Sequence, residues 1–274
     1  MIRGAAILDE ADASSSVSVE AVAHGSADPR AITWALADEV PVAIQVNSEP
    51  YAVMMASPAD LRDFAIGFAL SEGLAPSFAD IHQVLVMPVE GGYSVDLAIN
   101  LAVLEAARKP RRRMEGRTGC GLCGVEEIGD AVRKQHPVEP LELDPAAVAR
   151  ALNSLRDHQP MNRVNHSVHG AAWCDRDGTI LLAREDVGRH NALDKLIGAL
   201  VQGGHDLQSG FVVMSSRCSF ELVQKAATLG IRGLATISAP TALALALAQE
   251  AGMSLAARWQ DRIVLFPKKC IDDA

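Results

Sequence analysis

The stretch Gly210–Ser238, "GFVVMSSRCSFELVQKAATLGIRGLATIS", decides the fold. An apolar run, "GFVVMSS" (210–216), gives way to a helical pattern over 220–230 and then to a second apolar run, 233–238. Strand, helix and strand at this spacing imply a right-handed crossover between parallel strands. The rhythm continues outward. Upstream lies helix "NALDKLIGALVQ" (191–202), and before it "AAWCDRDGTILLA" (171–183) reads as two strands around a turn at Asp175–Gly178. Downstream lie helix "TALALALAQEAG" (241–252) and strands "SLAA" (254–257) and "RIVLF" (262–266). The expectation is an α/β fold with a largely parallel sheet covered on both faces.

In such sheets ligands sit outside the carboxyl ends of the strands. That rule nominates three loops: "REDVGRHN" (184–191), "SSRCS" (215–219) and "SAPT" (238–241). Each precedes a helix start, where free backbone N–H groups favour an anion such as a phosphate. No G-x-G-x-x-G or Walker sequence accompanies them.

The first half reads as α+β with local pairings. "EVPVAIQVNSEPYAVMMAS" (39–57) alternates apolar and polar residues around "NSEP", a hairpin pattern. Ser57-Pro58-Ala59-Asp60 reads as an N-cap with proline at the first helical position, and the helix should stop at Gly73. "IHQVLVMPVEGGYSVDLAIN" (81–100) reads as a second hairpin turning at Gly91-Gly92. The expected division is a flexible leader (1–30), an N-terminal α+β part (31–108), a mobile basic loop (109–128) and an α/β cofactor-binding domain (129–274).

The net charge of −9 argues against a protein that coats nucleic acid. The longest apolar stretch, 239–257, is interrupted by Gln249 and Glu250 and reads as a buried helix rather than a membrane span. The N-terminus has no apolar core of export length, so a cytoplasmic location is expected. The five cysteines are then reduced, reactive or metal-bound rather than paired.

Two of them form a C-x-x-C, Cys120 and Cys123, within "GRTGCGLCGVEEI" (116–128). A structural zinc site wants four ligands, and one such pair supplies two. A thioredoxin-like disulfide wants its pair between a strand and a helix, whereas this pair lies among glycines. A third reading is a nucleophilic thiolate on a mobile arm. Lys109, Arg111, Arg112, Arg113 and Arg117 lie just upstream, and positive charge favours the thiolate. The residues alone leave all three open.

Glu185, Asp186, Arg189, His190 and Asn191 crowd one strand end, with Asp194 and Lys195 following on the helix. They read either as the wall of a ligand pocket or as an internally paired network. Ser216 and Arg217 offer a hydroxyl and a guanidinium to a phosphate or guanine. Cys174 and Cys218 read as core, Cys270 as incidental. His166 and His169 read by default as structural histidines, with a shared cavity as the alternative.

Taken together, "SPADLRDFAIGFALSEGL", "CGLCG", "VHGAA", "REDVGRHNALDKLIG", "SSRCSFELVQKAATLGI", "ISAPTALALALAQEAGMSL" and "RWQDRIVLF" resemble one family, the formate dehydrogenase accessory sulfurtransferases (FdhD type). The resemblance covers about residues 38–266. It implies a sulfur carrier between a cysteine desulfurase and formate dehydrogenase. Cys120 would hold the sulfur as a persulfide, with Cys123 its neighbour in relay. The sulfur would pass to the molybdenum of a bis(molybdopterin guanine dinucleotide) held as client cofactor, with no permanently bound metal. The family's cofactor segment maps onto Arg258, Trp259, Gln260, Asp261 and Arg262. Arg189, His190, Ser216 and Arg217 are expected beside it. The resemblance also implies a three-layer α/β/α sandwich similar to cytidine deaminase, and a homodimer. A cofactor-holding chaperone that moves no sulfur is the alternative.

Deaminase chemistry does not follow, because the chain has no H-x-E and no proline before Cys120. Ser48 stands where the family usually has glycine, and Asn165-His166-Ser167 where it has Thr-Gly-Gly.

Overall fold

A computed structural model describes residues 16–25, 28–107 and 137–267. Strands β1 (Ser16–Ala23) and β2 (Arg30–Ala37) pair as a two-stranded antiparallel ribbon. Residues 16–23 of the segment read as a leader therefore form an ordered strand. Short residues such as Ser16, Ser18 and Ala21 hid the alternation there.

Strands β3 (Val40–Val46) and β4 (Glu49–Ala56) form the first hairpin, turned at Asn47-Ser48. Both turn residues have positive φ, 53° and 65°, as the tight hairpin turn that matches strand twist requires. Ser48 tolerates this because its N–H and hydroxyl donate to the Asp96 carboxylate at 3.0 and 2.9 Å. Strands β5 (Ile81–Val89) and β6 (Gly92–Ile99) form the second hairpin. The two join through a parallel β3–β6 pairing, giving the order β4-β3-β6-β5.

Helix α1 (Leu61–Ser71) begins later than the sequence implied. Asp60, not Ser57, is the N-cap residue. Ser57 is instead fully buried, and its polar groups are taken by Asp186, Val187 and Lys195. Tertiary partners outcompete the local cap. A short α2 (Leu101–Ala107) follows β6.

After residue 137 come α3 (Pro145–Ser154), capped by the Asp144 carboxylate on the N–H groups of Ala146 and Ala147, and α4 (Pro160–Asn165). Strands β7 (His169–Cys174) and β8 (Ile180–Asp186) are joined by the expected turn, where Asp175 accepts from the N–H groups of Asp177 and Thr179. Then follow α5 (Arg189–Gln202), β9 (Phe211–Met214), α6 (Phe220–Thr228), β10 (Gly233–Thr236), α7 (Ala242–Ala251), β11 (Ser254–Trp259) and β12 (Arg262–Leu265).

Their sheet has the order β12-β11-β10-β9-β7-β8. Only β9, β10 and β11 pair in parallel; β7 is antiparallel to both β8 and β9, and β12 to β11. The expectation of a largely parallel sheet is thus corrected to a mixed one. The turns at Asp175–Gly178 and Gln260-Asp261 are too short for a crossover, so each edge closes as a hairpin.

Alternation assigns the faces. Trp173, Val212, Met214, Leu234 and Leu255 share one core with residues of α5, α6 and α7. Cys174, Phe211, Val213, Ala235 and Ala256 share a second core with Val148, Ala151 and Leu152 of α3. Helices therefore cover both faces. The smaller sheet's Val42, Ile44, Val95 and Leu97 join the first core, with α1 between the two sheets. Helices α1 and α5 touch backbone to backbone. A methyl group on Gly67 would lie 1.7 Å from the Asp194 carbonyl oxygen, and one on Gly198 would lie 1.9 Å from that of Asp63. No helix among the described residues is long and apolar enough to cross a membrane.

Candidate functional site

Strand direction gathers the site. β8, β9, β10 and β11 all end at the same edge of the large sheet, and antiparallel β7 begins there. The loops before α5, α6 and α7 and the β11–β12 turn thus share one rim. The loops at 215–219 and 237–241 are tied together: Ile237 N–H donates to the Met214 carbonyl and Thr241 N–H to that of Cys218.

The motif 184–195 splits into an inward and an outward set. Inward, Asp186 and Lys195 form an ion pair of 2.7 Å with neither side chain exposed. Asp186 also accepts from the Ser57 and Gly188 N–H groups and from the Asn191 amide. Lys195 donates further to the carbonyls of Ser57 and Glu185. Glu185 accepts from the N–H groups of Met161 and Asn162 at the start of α4. Burial pushes its carboxyl above the usual range despite those two bonds. Asp194 receives Lys225 at 2.9 Å and the Ser71 hydroxyl at 2.7 Å, and Glu72 also reaches Lys225. Burial works against the Lys225 charge, but Asp194 and Glu72 outweigh it and hold the amine above its ordinary range. For Glu185, Asp186, Asn191, Asp194 and Lys195 the internal network is therefore the correct reading.

Outward stand Arg189 and His190, the first two residues of α5. The Arg189 Nε is buried with no hydrogen-bond partner among the described residues. His190 is 5% exposed; its Nε2 lies 3.4 Å from Ser219 Oγ and 3.8 Å from Glu221 Oε2. Burial alone would raise the Glu221 carboxyl, but His190 and Ser219 draw it down to about 2. His169 opens β7 between them, 3.4 Å through Nδ1 from Ser215 Oγ. Burial first, then the charges of Arg189 and His190, lower its pKa, with Asp186 opposing.

Ser216 is buried and donates its hydroxyl to the Arg217 carbonyl at 3.0 Å, while the Arg217 side chain is exposed. Farther along the rim, Arg258 reaches Asn153 of α3 at 2.6 Å, and Trp259, Gln260, Asp261 and Arg262 are exposed, Trp259 to 57%. β11 is two strands from β9, about 10 Å at ordinary strand spacing. All nine expected cofactor residues thus lie on one rim, in two clusters. His166 does not join them; it packs on Trp34 of β2 at 5.9 Å. Ser215 and Ser219 belong to the loop "SSRCS" that the sequence nominated; Glu221 lies outside it and was passed over, and His169 was structural by default with a shared cavity as the alternative. The start of a strand at the ligand-bearing edge is the signal that separates His169 from His166.

Cys174 and Cys218 are buried, and burial pushes each thiol up to about 12. Cys120, Cys123, their basic flank and Cys270 lie outside the described residues. Among the described residues no group of three or more His, Cys, Asp or Glu could hold a metal ion.

The chain is 48% identical over 225 residues to the sulfur carrier protein FdhD of Chromobacterium violaceum, covering 81% of this chain and 83% of that one. It is 45% identical over 221 residues to the protein of the same name from Bordetella petrii, covering 80% of each. A solved structure from Desulfotalea psychrophila, named as a formate dehydrogenase accessory protein, superposes with a TM-score of 0.75 at 23% identity, covering 94% of this chain and 99% of that one. At that identity the likeness carries the fold. The profile of the FdhD/NarQ family matches residues 37–266, most of the 274-residue chain and the whole of both sheets apart from the β1–β2 ribbon. The chain belongs to the FdhD/NarQ family.

Proposed function

We propose that this protein is a sulfur carrier that serves formate dehydrogenase. The observation that carries the reading is its 45–48% identity, over about four fifths of the chain, to proteins named sulfur carriers. Cys120 is the carrying residue and Cys123 its relay neighbour. In the loading step the Cys120 thiolate attacks the outer sulfur of a desulfurase persulfide. A new S–S bond forms at Cys120, the donor's S–S bond breaks, and the donor cysteine leaves as thiolate. Arginines just upstream favour the attacking thiolate.

The second substrate is the bis(molybdopterin guanine dinucleotide) cofactor, whose metal receives the sulfur before insertion into formate dehydrogenase. Its phosphates are multiply charged, and the rim offers matching chemistry: Arg189 with an unpartnered buried Nε, exposed Arg217 and Arg262, and the starts of α5, α6 and α7. Exposed Trp259 provides a flat face for a base. A homodimer working in the cytoplasm without nucleic acid or membrane completes the reading.

Complementation tests it. A host lacking its own family member should regain formate dehydrogenase activity with the wild-type chain and not with Cys120→Ala. Equal rescue by both would remove sulfur transfer and leave the cofactor-holding chaperone.

A further inference from the structure

His169 stands on the rim, half-buried at the start of β7. β7 lies between β8 and β9 in the sheet, so its first residue sits between the loop that opens α5 and the loop that opens α6. The backbone around it is fixed. His169 is the register partner of Asp186, and the next residue, Gly170, exchanges two bonds with Ser215. The Ser215 N–H donates to the Gly170 carbonyl at 2.9 Å, and the Gly170 N–H donates to Ser215 Oγ at 2.8 Å. A hydroxyl that already accepts a hydrogen bond still has one proton to donate. The acceptor in reach is His169 Nδ1, 3.4 Å away. In that arrangement Nδ1 is the unprotonated nitrogen and the ring proton is on Nε2.

The charged groups around the ring complete the picture. Arg189 and His190 face it from α5 and Asp186 faces it from β8, while Ser215 of the β9 loop is neutral. Burial and the two α5 neighbours disfavour a second proton, and Asp186 offsets them in part. A neutral imidazole with a fixed donor therefore stands next to an arginine whose Nε is buried and unpartnered.

Resting on the reading that this rim receives the cofactor, we propose that His169 is a positioning residue. Its Nε2–H donates to a phosphate of the guanine dinucleotide alongside Arg189, with Ser215 setting the tautomer. A phosphate arriving at Nε2 brings negative charge, which raises the proton affinity of the ring. Binding is then coupled to proton uptake near neutral pH. A histidine that merely packs at the start of β7 produces no such coupling.

The probe is guanosine diphosphate, titrated calorimetrically into the full chain at pH 7 in two buffers of different ionisation enthalpy. Wild type is expected to bind with fractional proton uptake. His169→Ala should bind about tenfold more weakly, the loss of one hydrogen bond to a charged group, and without uptake. His169→Gln keeps a neutral donor near the Nε2 position, so it should recover most of the affinity and none of the uptake. Should the alanine variant fail to fold, the glutamine variant decides alone. Wild-type proton uptake in either variant would overturn the role of His169 while leaving the rim reading intact. A wild-type protein that does not bind the nucleotide would overturn both, and it would leave the persulfide chemistry of Cys120 untouched.

Discussion

Lys195 Nζ lies 2.7 Å from Asp186 Oδ2, and water reaches neither side chain. The pair also grips both ends of Ser57, with Asp186 on its N–H and Lys195 on its carbonyl, so it ties the loop before α1 to the start of α5. Two buried charges cost desolvation that only their mutual bonding offsets. Removing one leaves the other stranded. Lys195→Met should therefore lower the unfolding free energy by about 3–5 kcal/mol in a denaturant titration. A loss below about 1 kcal/mol would mean that Asp186 does not depend on Lys195 for its charge.

The contact between α1 and α5 makes a second prediction. The Asp194 carbonyl oxygen occupies the place where a Gly67 methyl would go, and backbone cannot swing aside as a flexible side chain can. Gly67→Ala should cost about 1–3 kcal/mol by forcing the helices apart, measured as a lower midpoint in thermal unfolding. At Gly25 nothing lies within 4 Å, and the same substitution there should be nearly silent.

Acid should find the His190–Glu221 contact. The Glu221 carboxyl sits at about 2 in the folded chain, against about 4.3 for a free glutamate. Its folded value is depressed, so its contribution to stability is present above the free value. That contribution is lost as pH falls from about 4.5 toward 2. Glu221→Gln should flatten the stability profile in that window relative to wild type, read by denaturation at stepped pH. An unchanged slope would detach Glu221 from His190.

The thiols should separate by reactivity. Cys174 and Cys218 are buried with pKa values near 12, so neither provides appreciable thiolate at neutral pH. Brief alkylation of the native protein at pH 7.5 should leave both unmodified, and peptide mapping should find label on Cys120. Label on Cys218 in the folded chain would require the loop before α6 to open.

The strand–helix alternation of the second half was legible because each element there is an unbroken run of one pattern. Every strand and helix read from 171 to 266 is found within a few residues of its place. What the pattern could not carry was strand direction: the same apolar run serves in a parallel or an antiparallel pair, and the turn lengths at Asp175–Gly178 and Gln260-Asp261 decide between them. Ser57 misled for the opposite reason. Its local signal for an N-cap was sound, but partners 129 to 138 residues away claimed its polar groups. The density of "REDVGRHNALDKL" marked an important segment. Which of its side chains turn inward, Asp186 and Lys195, and which reach the rim, Arg189 and His190, depends on how α5 rotates against α1, and one sequence does not show that. The family resemblance, by contrast, was fully legible in its motifs.

The most direct test of the sulfur-carrier claim is the mass of the Cys120 peptide after incubation with a cysteine desulfurase and cysteine, with thiols trapped by alkylation. The peptide is expected one sulfur atom heavier, the gain reversed by a reductant and absent in Cys120→Ala. A Cys120 that stays a plain thiol while the desulfurase is turning over would contradict the claim.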